Sequence, residues 1–338
     1  MVLHDSEGLS APPSYPLVSA ELIRSLRGPK LSQAAFSRRI GYRSNIVSRW
    51  EAQKAFPTAS RFLEAFAKAR PRQSSPLLRF FPRSPPALAR CEPTSARAVA
   101  AFLTELRGKT PLLSVARDSG FNRYSVSRWL SGQAEPKLPQ FLCLIEVMSR
   151  RLLDFLACCA DPLSMGQVAG DWQRLQLLRE AAYDVPWSHA ALRALELEGA
   201  VTHPQEGWLL DRLGISREVL GEALRVLAET GQIRKIRGRW RPQRVVSVNT
   251  AQDRIRAHAL KVSWTQTALT RMQSGAPGNY GYSVFSVSKR DLRRLRDVHL
   301  EYVRAMQQLI AESSPGQCVG LYCAQLLDLA LSDNALED

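Results

Sequence analysis

Between residues 26 and 66 the apolar positions follow a helical interval that stops and restarts around a glycine. Ala34, Ala35 and Ile40 share one helix spacing, and the pattern ends that helix at Gly41, where a left-handed backbone costs least. A second helix is predicted to start near Ser44. On it Val47 and Trp50 share one face, while Ser44, Asn45, Ser48 and Arg49 share the opposite one. One stripe packs on the first helix and the other is offered outward. The pattern then recurs. "LRGPKLSQAAFSRRIGYRSNIVSRWEAQKAFPTASRFLEAF" from Leu26 has a counterpart in "LRGKTPLLSVARDSGFNRYSVSRWLSGQAEPKLPQFLCLI" from Leu106. From the glycine onward the offset is 79 residues, so Gly41 matches Gly120, Val47 matches Val126, Arg49 matches Arg128 and Trp50 matches Trp129. Within the matched "GYRSNIVSRW" and "GFNRYSVSRW" the letters differ mainly where the outward stripe begins. The shared letters therefore build a scaffold, and the variable ones face solvent.

Charge sharpens this picture. The chain of 338 residues carries a net +15, and residues 1–90 alone hold 15 Lys/Arg against 5 Asp/Glu. Residues 161–338 are close to neutral, with 22 Lys/Arg against 20 Asp/Glu. A basic N-terminal region on a near-neutral body is the footprint of a polyanion binder. A helix that packs one stripe inward and presents a polar, basic stripe outward fits the DNA major groove.

On these residues both repeats resemble the lambda-repressor and Cro class of helix-turn-helix domain. The resemblance implies base-reading positions at Ser44, Asn45 and Arg49 and phosphate contacts at Gln33 and Arg43; Ser48 lies on the same stripe. In the second repeat Arg123, Tyr124 and Arg128 take the base-reading positions, flanked by Asn122 and Ser127. That repeat departs from the pattern twice: Leu112 stands in place of the opening Gln, and Leu130 in place of the closing Glu. Asn suits adenine and Arg suits guanine. Because Ser44-Asn45 differs from Arg123-Tyr124, the two modules are expected to read non-identical half-sites. Between Pro71 and Pro93 six prolines predict an extended, partly stiff linker, able to span one turn of DNA, about 34 Å. Its "LLRFF" either docks on a neighbour or stays in solvent.

Farther on, residues 172–187 predict a helix with Trp172, Leu175, Leu178 and Ala182 on one stripe, ended by Pro186. Ser216 caps a helix that buries Val219, Leu220, Leu224 and Leu227, and "QIRKIRGRWRP" predicts two short strands around Gly238. Helix, helix, helix and hairpin in that order resemble a winged helix. The outward face of its last helix mixes Arg217 and Arg225 with Glu218 and Glu222, which repel phosphate. The hairpin is basic, and Arg234, Lys235, Arg237 and Arg239 are candidates for DNA backbone contact. After Asn249 the pattern predicts a helix, a strand at "YSVFSVS", a long helix capped by Ser288, and a strand-like run at "CVGLYCAQLLDL". Along the long helix Leu292, Leu295, His299, Tyr302, Met306 and Leu309 form a seam. It would pack on a sheet or on a second copy of the chain, so a homodimer through the C-terminal half is one expectation. "RAHALKVSWTQTAL", "YSVFSVSKRDLRRLRDVHLEYVRAMQQLI" and "VGLYCAQLLDL" make residues 172–330 similar to a bacterial family of regulators with a winged helix and a C-terminal domain of unknown function. Leu327-Asp328 departs from the Phe-Pro of that family's closing run.

The expected fold is mainly α: helix-turn-helix domains at 17–70 and 94–160 joined by a linker at 71–93, a winged helix at 168–246 and a small α+β domain at 247–332. The six cysteines form no C-x-x-C pair, and the five histidines stand singly. No catalytic, metal or cofactor constellation is legible. No apolar run reaches about 18 residues, and no signal peptide is recognisable, so a cytoplasmic protein without membrane contact is expected. The expectation is a transcription regulator that binds double-stranded DNA. Its rival is a protein-interaction module, antitoxin-like or scaffolding, built on the same folds.

Overall fold

The computed structural model describes residues 13–81, 85–203, 205–243, 250, 253–313 and 315–329. It is mainly helical, with eighteen α-helices and one two-stranded antiparallel hairpin among the described residues. The described residues divide into two compact units, one of residues 13–180 together with Thr250, the other of residues 181–243 and 253–329.

In the first unit each repeat contributes four helices. The first repeat folds as α1 (Tyr15–Arg27), α2 (Gln33–Arg39), α3 (Ile46–Glu51) and α4 (Ala59–Ala69). Their counterparts after the linker are α7 (Ala96–Arg107), α8 (Leu112–Ser119), α9 (Arg123–Leu130) and α10 (Leu138–Ser149). Side-chain caps set several of the starts. Ser32 accepts from the Ala35 amide at 3.1 Å, and Ser95 accepts from the Ala98 amide at 3.1 Å. Each such cap is worth about 1 kcal/mol. Gly41 and Gly120 end α2 and α8 with φ of 98° and 70°, the left-handed turn expected from sequence. Trp50 and Trp129 are buried, and each meets the aromatic that follows the turn glycine edge to face. Tyr42 lies 5.6 Å from Trp50, and Phe121 lies 5.4 Å from Trp129.

The repeats do not form separate domains. One continuous apolar core runs from Val18 to Val168 and takes side chains from both. The proline-rich segment is likewise not an extended spacer. It forms α5 (Pro76–Arg79) and α6 (Pro86–Ala89), and "LLRFF" docks, with Leu77 and Phe80 buried. Proline at the first helical position is compatible with a helix, because the missing amide would have no helical partner there. Phe80 then joins Phe102, Phe141 and Phe155 in an aromatic cluster with ring separations of 5.4–6.3 Å. Behind it α11 (Leu152–Cys159) carries the buried Asp154, which accepts hydrogen bonds from Arg151 and from Arg179 on α12 (Ala169–Asp184). The Arg151 guanidinium also lies 4.2 Å from the Phe80 ring centre.

None of the described cysteines is paired. Burial pushes the Cys158 thiol up to about 11 and that of Cys159 well above the ordinary range, whereas Cys318 is exposed. The thiolate is the reactive form. Timed alkylation at pH 8, read by peptide mass spectrometry, is therefore expected to consume Cys318 first and Cys159 only on unfolding.

In the second unit α13 (Trp187–Leu195), α14 (Gly199–Thr202), α15 (Gln205–Leu213) and α16 (Arg217–Glu229) precede strands β1 (Ile233–Ile236) and β2 (Arg239–Pro242). Ile233 pairs with Pro242 and Ile236 with Arg239, leaving the two-residue turn Arg237-Gly238 with φ of 50° and 79°. Two positive φ values suit the right-handed strand twist of a tight hairpin. Ala191, Leu195, Leu209, Leu220, Leu227 and Ile233 share a second core, so the helices and hairpin form one body in the order expected for a winged helix.

The small α+β arrangement expected at 247–332 is not formed among the described residues. Helices α17 (Arg254–Gln273) and α18 (Lys289–Glu312) are present, but "YSVFSVS" and "CVGLYCAQLLDL" make no ladder. Tyr282 and Val284 are exposed, as are Tyr302 and Leu309 of the α18 seam. Alternation biases a segment to be extended, but a strand forms only when another edge takes its backbone hydrogen bonds.

Candidate nucleic-acid interface

The candidate interface lies at the N-terminal ends of α3 and α9. Asn45 caps α3: its Oδ1 accepts from the Ser48 amide at 3.4 Å and from the Ser37 hydroxyl at 3.3 Å. Asn122 caps α9 by accepting from the Tyr124 amide at 2.8 Å. α3 therefore begins at Ile46, two residues later than the sequence pattern placed it, whereas α9 extends back to Arg123. The asparagine stands at the third variable position in one repeat and at the first in the other, and each asparagine sets its own helix start.

Both stripes reach solvent. Arg43, Ser44, Asn45 and Arg49 are exposed, and Ser48 is half-buried. Asn122, Arg123, Tyr124 and Ser127 are exposed, with Arg128 half-buried and its guanidinium 5.6 Å from the Tyr124 ring centre. The first amides of α3 are taken within the chain: Ile46 donates to the Ser44 carbonyl at 2.9 Å and Val47 to the Ser37 hydroxyl at 3.2 Å. Capping changes one expectation. Two-point pairing of Asn45 with adenine needs its Oδ1, and that atom already serves α3.

Gln33 sits where a phosphate contact was expected, but its amide nitrogen donates to Glu51 Oε2 at 2.8 Å. Glu51 also receives Arg27 Nε at 2.7 Å and Arg27 Nη2 at 3.2 Å, and Arg27 Nη1 reaches the Leu31 carbonyl at 2.5 Å. These three side chains, with Glu51 buried and Arg27 and Gln33 half-buried, form a polar clamp joining α1, α2 and α3. In the second repeat Arg107 keeps the Arg27 position, but Leu112 and Leu130 replace Gln33 and Glu51. Both leucines pack against the core, and Arg107 Nε is buried without a hydrogen-bond partner. The two departures noted in the sequence are thus one linked exchange of a polar clamp for an apolar one. The signal was present in the paired repeats, since Gln and Glu change to Leu together while Arg stays.

The basic hairpin is partly committed to its own fold. Arg234, Lys235 and Arg237 are exposed. Arg239, however, directs its guanidinium to the carbonyls of Val201 and His203, so it holds β2 to α14 rather than standing free for phosphate. On α16 Arg225 pairs with Glu229 at 2.9 Å, and Arg217 pairs with Glu206 at 3.3 Å. Among the described residues no group of His, Cys, Asp and Glu could hold a metal ion, and no helix is long and apolar enough to cross a membrane.

Residues 171–326 match a family described as a domain of unknown function, DUF4423, which overlaps the region where the sequence suggested a regulator family. That match does not extend over the N-terminal repeats. No curated protein and no solved structure matches the chain.

Proposed function

We propose that this chain is a sequence-specific regulator that binds double-stranded DNA through its paired helix-turn-helix units and acts in the cytoplasm. One observation carries the reading. Around the second helix of each unit the buried Val47 and Trp50 recur as Val126 and Trp129 and the outward Arg49 recurs as Arg128, while Arg43, Ser44 and Asn45 of one unit face solvent where Asn122, Arg123 and Tyr124 of the other do. A kept outward arginine beside outward positions that differ is what two base-reading helices with related but non-identical targets need. The charge of residues 1–90 supports it, with 15 Lys/Arg against 5 Asp/Glu supplying the sequence-independent attraction to phosphate.

Arg49 and Arg128 are the leading base readers, each suited to guanine. The α16 arginines are matched by carboxylates, so the winged helix is assigned a regulatory or protein-contact role rather than base reading. Selection of bound fragments from random duplexes, followed by footprinting, tests the proposal. With about six phosphate contacts, affinity should fall with salt at a log–log slope near −5. Arg49→Ala is expected to relax preference at one base pair and cost about 1–3 kcal/mol of discrimination. A protein that enriches no sequence, and binds no duplex more tightly than heparin-competed background, is not this regulator.

A further inference from the structure

Resting on the DNA reading above, we propose that one chain is a covalently joined two-fold pair. It fills both halves of an imperfect inverted repeat as a single molecule. The halves match at the base read by Arg49 and Arg128 and differ at the bases faced by the variable residues before them.

The joint between the repeats is reciprocal. Residues 57–59 and 136–138 are equivalent, since they differ by the repeat offset of 79. The Ala59 amide donates to the Pro136 carbonyl at 3.0 Å, and the Leu138 amide donates to the Pro57 carbonyl at 2.9 Å. Thr58 and Lys137 face each other across this isolated antiparallel bridge. Two equivalent segments that exchange the same bond in both directions define a local two-fold axis. The helices obey the same rule: α1 packs on α10, and their counterparts α7 and α4 pack on each other. An interface in which residue i meets j and j meets i is isologous. The internal repeat therefore reproduces inside one chain the relation that usually joins two subunits.

This relation fixes the geometry of any shared target. Two reading helices related by a two-fold axis can face one duplex only with opposite strand polarity, which makes the site inverted. A tandem pair on a loose tether could instead accept direct repeats or variable spacing. That freedom is absent here, because the intervening proline-rich segment is docked through Leu77 and Phe80 and both repeats share one core. The symmetry is imperfect where it would meet bases. Ser48 and Arg49 correspond to Ser127 and Arg128, whereas Ser44 and Asn45 correspond to Arg123 and Tyr124.

The test uses the full chain and the site recovered by selection. Synthetic duplexes carry that site intact, with one half reversed to give a direct repeat, or with about five base pairs inserted, which rotates one half by half a turn. Titration gives affinity, and mass photometry counts chains per duplex. The expected results are one chain on the intact site and at least tenfold weaker binding to the reversed and inserted duplexes. Footprints should lose contacts in one half with Arg49→Ala and in the other half with Arg128→Ala. Equal affinity for the reversed duplex, or two chains needed to protect both halves, would overturn the inverted single-chain site while leaving sequence-specific binding intact. Failure to recover any preferred sequence would remove the DNA reading itself, and this inference with it.

Discussion

Replacing Phe102 by Ala should destabilise both repeats together, by about 3–5 kcal/mol, although Phe102 belongs only to the second. The residue is fully buried on α7, where its ring meets Phe80 and Phe81 of the linker segment, Phe141 of α10 and Phe155 of α11. The cavity left behind lies in a core that continues into the first repeat through Val18, Leu22 and Phe66. The opening free energy of amides in α3 should therefore fall as much as that of amides in α9. Native-state hydrogen exchange resolved by peptide would measure both. If α9 alone lost protection, the repeats would be independent units and the common core would have no energetic meaning. The same result would weaken the two-fold reading, which needs a rigid joint between the reading helices.

The second large effect is expected at Glu51. Its side chain is 4% exposed and receives Arg27 and Gln33. Glu51→Ala leaves a guanidinium that is only 15% exposed without its carboxylate, and breaking one side of a buried pair typically costs about 3–5 kcal/mol. The second repeat suggests the rescue. There the corresponding positions are Leu112 and Leu130, so the triple change Arg27→Met, Gln33→Leu and Glu51→Leu replaces the clamp with apolar packing. That variant should recover most of the lost stability, because exchanging a whole buried ionic group for well-packed apolar residues is often neutral or better. Urea midpoints for the single and triple variants decide the matter. A triple variant as unstable as Glu51→Ala would show that the clamp is worth more than its apolar substitute. Since Gln33 belongs to this clamp, a loss of DNA affinity on changing it would also have to be read against folding, unlike a loss at the exposed Arg49.

Sequence periodicity alone was enough for the local frame. Gly41 and Gly120 as left-handed stops, Val47 and Trp50 inside, and Arg49 and Arg128 toward solvent all follow from which residues tolerate which backbone and which side chains leave water. The repeat and its variable letters were equally plain, because both are properties of the linear order. Only tertiary structure decided what met what. Periodicity does not say that Thr58 and Lys137 lie at a reciprocal joint, since hydrogen bonds between residues 77 and 81 apart leave no local signature. Proline content predicted an extended linker, but burial of Leu77 and Phe80 outweighed that tendency. Gln33 and Arg239 looked free for phosphate in the sequence. In the fold a buried carboxylate and two carbonyls at the end of α14 take them first. The alternating C-terminal segments form no ladder among the described residues, because a strand is made by its neighbour's edge, and a chain read one residue at a time does not show whether that neighbour arrives.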